Sequence, residues 1–326
     1  MLFPKTIRYL AKIQLGGQPI REDGPKSHIK KSGTPTMGGL LIIASIMLSS
    51  LIWVDLANMY ILVAIFVTLS MGVLGFIDDY KKIKYKNSKG VSAKWKLVWQ
   101  VSTTICAAIA IILLTQDSLE GAMIFIPFIC PNGIDIGIFL YLIFAFFVIT
   151  GSCNAVNLTD GLDGLVTVPI ISTTACLAVI SYITSNVLFS DYLKIQYIPG
   201  TEELFIYCGS IIGASIAFLW YNANPAKVFM GDVGSLALGG ALGVMALIMR
   251  QEFIFGIAGA VFVLEAVSVI IQVVYYKRTK KRFFKMAPIH HHFEQMGYSE
   301  NLIVVRFWIL SFISCAVAIM VLRIGY

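Results

Sequence analysis

Nine apolar runs constrain this chain more than any other feature. They cover residues 38 to 55, 59 to 77, 97 to 115, 138 to 157, 162 to 184, 204 to 221, 234 to 249, 254 to 275 and 303 to 322. As helices they approach the roughly 30 Å thickness of bilayer hydrocarbon. Inside hydrocarbon every backbone N–H and C=O must find a partner within the protein, and runs of this length meet that demand as helices. The chain therefore reads as all-α, a polytopic membrane helix bundle of about nine spans. Composition agrees, since 58% of the 326 residues are apolar and 13% charged, and a mean hydropathy of +0.82 excludes the soluble class.

Orientation follows from the cations, because cytoplasmic loops retain Lys and Arg. Residues 1 to 37 carry seven basic residues, the loop after the second run carries seven more from Lys81 to Lys96, and Lys227 and six residues of 276 to 302 continue the alternation. The opposite loops hold only Lys194, Arg250 and Arg323, and Arg306 stands at a span entrance. The first side is expected to be cytoplasmic, with the C-terminus outside. A net charge of +7 then reads as orientation and attraction to anionic membrane lipid, without the aromatic pattern that nucleic acid binding needs. The six cysteines show no CxxC spacing and fall mostly within spans, as small packing residues do. Residues 1 to 17 place cations between apolar residues, a pattern for an interfacial helix rather than a signal peptide.

The inward connections also collect the polar chemistry. GFIDDYKK, residues 75 to 82, sets Asp78 and Asp79 at the C-terminal end of a span, where the helix dipole repels them and a compensating partner is needed. VNLTDGLDGL, residues 156 to 165, spaces Asn157, Asp160 and Asp163 three apart, which puts them on one face if the segment is helical. Its Asn-Leu-Thr sequon lies on the inward side and is discounted. In NANPAKVFMGDVGSLALGG, residues 222 to 240, Asp232 is suited to Mg²⁺, and backbone N–H groups around Gly231 and Ser235 at a helix start are suited to phosphate, although the P-loop spacing is absent. Phe229 suits either base stacking or interfacial packing. APIHHHFEQMG, residues 287 to 297, holds His290, His291 and His292, for which phosphate contact or proton handling fits better than a transition metal. Glu265, an acid inside a span, must face the bundle interior or a cavity. His28 reads as solvated.

These stretches, with GQPIREDGPKSHIKKSGTPTMGG at residues 17 to 39, resemble in order the phospho-N-acetylmuramoyl-pentapeptide transferase family, which PIHHHFE best separates from other polyprenyl-phosphate sugar-phosphate transferases. The resemblance implies transfer of phospho-MurNAc-pentapeptide from UDP-MurNAc-pentapeptide to undecaprenyl phosphate, giving lipid I and UMP in peptidoglycan synthesis, with Mg²⁺ required. By motif position it implies Asp232 as the metal ligand, and Asn157, Asp160, Asp163, Asn222, Phe229 and Ser235 as uridine and diphosphate contacts. Lys31, Thr36, Lys82 and Lys94 become substrate or activity residues, and the run His290 to His292 part of the site. The expected roles are Asp78 on the lipid phosphate, Asp79 organising cation and lysines, and direct attack rather than an aspartyl-phosphate intermediate. The family usually has ten spans, so its first span is expected to be missing, which bears on stability or on the contact of a homodimer more than on the chemistry. Residues 1 to 326 are expected to form a single transferase domain, with 1 to 37 and 276 to 302 cytoplasmic. A UDP-GlcNAc transferase and a cation-coupled transporter are the alternative functions; no interrupted pair of spans is visible to favour the latter.

Overall fold

The computed structural model of the chain describes residues 2–14, 33–86, 90–115 and 121–325. In chain order the described elements are α1 (Leu2–Ile13), α2 (Gly39–Trp53), α3 (Met59–Lys84), α4 (Ala93–Leu114), β1 (Met123–Ile126), β2 (Cys130–Asp135), α5 (Gly137–Thr159) and α6 (Thr167–Thr184). They continue with α7 (Val187–Leu193), α8 (Glu202–Asn222), α9 (Gly231–Ile248), α10 (Glu252–Ala258), α11 (Ala260–Thr279), α12 (Ile289–Gln295) and α13 (Glu300–Ile324). Eight of these helices are long and apolar enough to cross a membrane, which bears out the all-α polytopic class.

The expected span at 38 to 55 is the exception in length. It is the apolar helix α2 of only 15 residues. Its start is pinned where Gly38 N and Gly39 N donate to the Phe229 and Met230 carbonyls, each at 2.9 Å, which ties it to the segment before α9. The span expected at 254 to 275 is broken at Gly259 into α10 and α11, an interruption that the apolar pattern does not reveal. A small antiparallel hairpin, β1 with β2, caps the end away from the acids. Buried Arg250 ties it down by donating to the Met123 carbonyl at 3.0 Å and the Thr115 hydroxyl at 3.2 Å, so this cation is a structural tie rather than an exposed loop charge.

α9 is the axis of the bundle, packed between α3 and α5 and almost wholly buried. The sequence permits this because α9 is rich in Gly and Ala, and without a hydrophobic drive between helices in lipid, close backbone approach is what associates them. A methyl group on Gly75 of α3 would collide with the Asp232 backbone, and one on Gly39 with the backbone of Gly234. Gly239 and Gly243 meet the Cys153 and Ile149 backbones of α5 in the same way.

The 26 residues of α3 make it about 39 Å long at 1.5 Å per residue, longer than the hydrocarbon is thick. Asn58 caps its start by accepting from Tyr60 N and Ile61 N and donates to the Gly200 carbonyl, fixing the far end to the loop before α8. The surplus length carries Asp78, Asp79 and Lys82 past the apolar zone. α1 exposes Tyr9 and Ile13, buries Leu10, and hands on to Gln14, whose side chain exchanges two hydrogen bonds with the Thr36 backbone. Among the described cysteines, four are buried and none is in a disulfide.

Candidate active site

Helix α3 presents its two acids a turn before it ends, and α9 presents Asp232 in its first turn. Because Gly75 lets these helices touch, Asp78, Asp79 and Asp232 bring ligand oxygens within 4.8 Å of one another. Two lysines hold the cluster together. Lys82 Nζ lies 2.6 Å from Asp78 Oδ2, 3.7 Å from Asp79 Oδ1 and 3.1 Å from Asp232 Oδ2. Lys96, on the first turns of α4, lies 3.0 Å from Asp78 Oδ1 and 3.0 Å from Asp232 Oδ2. Three carboxyl groups thus share two ammonium groups in a largely buried site.

The dipole penalty on the α3 acids is met from the neighbouring helix. Asp79 Oδ2 accepts from Val233 N at 3.2 Å, so an anion at the C-terminus of α3 is also an anion at the N-terminus of α9, where the dipole favours it. That N–H, expected to be free for phosphate, is thus taken by Asp79. Asp78 Oδ1 accepts from Val91 N at 2.6 Å in the loop before α4.

Asp232 is held from its other side by α5. Asn157 Nδ2 donates to Asp232 Oδ1 at 2.9 Å and to Ser235 Oγ at 2.8 Å, and Ser235 Oγ donates back to the Gly231 carbonyl at 3.0 Å. Gly231 itself has φ +77°, and a side chain there would strike Asp79 and the Thr36 hydroxyl. Thr36 Oγ1 is buried without a hydrogen-bond partner beside this point. Phe229 is half-buried, with its backbone clamped to Pro35 and Gly38.

The 156 to 165 segment does not keep one helical face. α5 ends at Thr159, and its three polar residues diverge because Gly161 and Gly164 turn the chain. Asp160 is directed at the Gly231 backbone, and burial first, then the Asp232 charge, push its carboxyl up to about 7. Asp163 instead accepts from Ala226 N at 3.0 Å and Asn224 Nδ2 at 3.3 Å. Asn222 is buried, accepting from Gly164 N and Thr167 Oγ1 and donating to the Val228 carbonyl. Both residues brace the loops that carry the site.

The histidines separate as adjacent helical positions must. His290 is fully buried, its Nδ1 3.1 Å from Glu265 Oε1 on α11, which places Glu265 in the bundle interior as expected. His291 Nδ1 lies 2.6 Å from Glu294, and burial holds its imidazole below the usual pKa despite that carboxylate. His292 Nδ1 accepts from Lys285 N at 3.1 Å. Lys94 points away and is exposed, whereas Lys96, two residues on, enters the cluster. Spacing alone did not distinguish them. The signal that finds Lys96 is tertiary, the face of α4 turned to α3. Lys31 and His28 lie outside the described residues.

The donor set suits a hard divalent cation: all carboxylate oxygen, clustered, and with Asp79 Oδ1 buried and lacking a hydrogen bond. Lys82 and Lys96, set among these carboxylates, are also suited to the oxygens of a phosphate.

Comparison with known proteins bears on the family of the chain. The family model for glycosyl transferase family 4 matches residues 59–250, and the phospho-N-acetylmuramoyl-pentapeptide-transferase signature 1 matches residues 31–43. A phospho-N-acetylmuramoyl-pentapeptide-transferase of Neisseria meningitidis serogroup C (strain 053442) is 48% identical over 324 residues, covering 99% of this chain and 89% of that protein. The protein of the same name from Rickettsia bellii (strain RML369-C) is 50% identical over 327 residues, with the same coverage.

Proposed function

The chain belongs to the phospho-N-acetylmuramoyl-pentapeptide-transferase family, and on that premise we propose how its site works. It transfers phospho-MurNAc-pentapeptide from UDP-MurNAc-pentapeptide to undecaprenyl phosphate, forming lipid I and UMP, at the cytoplasmic face of the bacterial inner membrane. The observation that carries the site assignment is the cluster of Asp78, Asp79 and Asp232 with Lys82 and Lys96 at the charged end of the bundle. A water-soluble donor and a bilayer-bound acceptor meet only at that level.

Asp78, Asp79 and Asp232 would hold Mg²⁺, which supplies charge neutralisation to the diphosphate. Lys82 and Lys96 leave the carboxylates in part to take non-bridging phosphate oxygens, since phosphoryl transfer depends on positioning and charge more than on covalent help. Asn157 keeps Asp232 oriented, and Asp160, Ser235 and Phe229 border the donor's side. An oxygen of the lipid phosphate attacks the phosphorus bonded to the sugar, the bond from that phosphorus to the bridging oxygen breaks, and UMP leaves. With the lipid phosphate as a dianion, atoms and charge balance without a proton, so Asp78 positions the nucleophile rather than deprotonating it.

The test is UMP release by detergent-purified protein supplied with undecaprenyl phosphate, Mg²⁺ and either UDP-MurNAc-pentapeptide or UDP-GlcNAc. Turnover confined to the muramoyl donor and lost in Asp232→Asn is the expected result. Turnover of UDP-GlcNAc alone would assign the chain to the other donor.

A further inference from the structure

Glu265 has no part in the reaction just described, yet it is an acid in the second turn of α11, a helix long and apolar enough to cross a membrane. Such a residue is expensive unless it is paired and useful. Its carboxylate is fully buried, and among the described residues neither oxygen has a hydrogen-bond partner and the one polar contact is Oε1 to His290 Nδ1 at 3.1 Å. One acid against one base keeps the pair free of net charge, which makes its burial tolerable.

The other edge of the ring faces the donor loop. A methyl group at Gly161 would collide with His290 Nε2, so the imidazole edge sits directly beneath the Gly161 backbone. Gly161 follows Asp160, whose carboxylate meets the Gly231 backbone beside Asp232. A column of contacts therefore runs from α11 through the ring to the loop and on to the acidic cluster. On its far side the same loop is tied by α13, where Glu300 accepts from Asp163 N at 2.9 Å and Trp308 donates to the Gly164 carbonyl at 3.1 Å.

We propose that Glu265 is a positioning residue: it holds the His290 ring on edge under Gly161 and so sets the height of the loop that carries Asp160 into the donor site. This rests on the transferase reading only for what the loop binds. The column itself is a feature of the fold. His291, with its ring centre 4.1 Å from that of His290, and Glu294 are the other titratable groups at this place, and they pair with each other.

The test compares Glu265→Gln with Glu265→Met in the full chain. The amide still reaches Nδ1, as donor or acceptor, whereas the thioether fills the space without holding the ring. In Glu265→Met, donor KM is expected to rise about tenfold with kcat changing far less, as for loss of one buried polar contact that positions the ring. Glu265→Gln should stay near wild type. Hydrogen exchange of the segment 159 to 164 should accelerate in the Met variant alone, a readout that needs no turnover and so stands even if the transferase reading fails. Gly161→Ala, which leaves Glu265 intact, provides a second route. Its effect on KM should be non-additive with Glu265→Met, because both act through one ring. Equal damage from Gln and Met, unchanged exchange in Met, or additivity of the two substitutions would each overturn the proposal.

Discussion

Lys94 and Lys96 differ by two positions and by everything that matters to the site. Lys96 lies within 3.0 Å of both Asp78 and Asp232, while Lys94 is exposed. Replacing Lys96 by Met should lower UMP release on the order of 100-fold, the usual effect of removing a group that stabilises transition-state charge. Lys94→Met should leave it about unchanged, and steady-state rates of the pair decide the matter. Asp160 offers a pH test. Burial raises its native pKa to about 7, above the ordinary 3.8, so the folded state binds the extra proton between those values. Stability therefore falls as pH rises from about 4 to about 7, by up to roughly 1.4 kcal/mol per unit. Thermal unfolding in metal-free detergent buffer should show that fall in the wild type and a flatter profile in Asp160→Asn. Asp163 and Asn222 were readable as polar residues at a site, but not as braces, because their partners Ala226, Gly164 and Val228 are neighbours only after folding.

At the scale of elements, α9 explains why the site exists. Its glycines face α3, α2 and α5 closely enough that Asp232 reaches Asp78 and Asp79. Gly75→Val should destabilise by overpacking, about 1–3 kcal/mol or more, and should also reduce turnover by moving α3 from α9. Gly213→Ala on α8, where a methyl meets nothing within 4 Å, should be neutral or gain up to about 1 kcal/mol. Melting temperatures of the two purified variants provide the check. The apolar runs foretold most helices because run length is a local property. They overstated the length of α2 and missed the break at Gly259. Those follow from where Gly38 and Gly39 bond to the Phe229–Met230 segment and where α10 packs against α13, which no run length encodes.

For the whole molecule, orientation is the open prediction. A cysteine placed at Lys281 should react with an impermeant maleimide only in inverted membranes, and one at Tyr197 only in intact cells, in a background freed of native cysteines. The opposite pattern would put the acidic cluster outside and remove access of a cytoplasmic donor. By itself the sequence determined that the chain is a membrane helix bundle and which family its motifs belong to, and it set the expectation of which way its charge points. Each of those depends on composition within a segment or on residues adjacent along the chain. Tertiary structure alone decided that Asp79 caps α9, that Lys96 rather than Lys94 neutralises the acids, and that Glu265 meets His290. Those contacts join residues 18 to 154 positions apart, and they arise only when small side chains let particular helices approach.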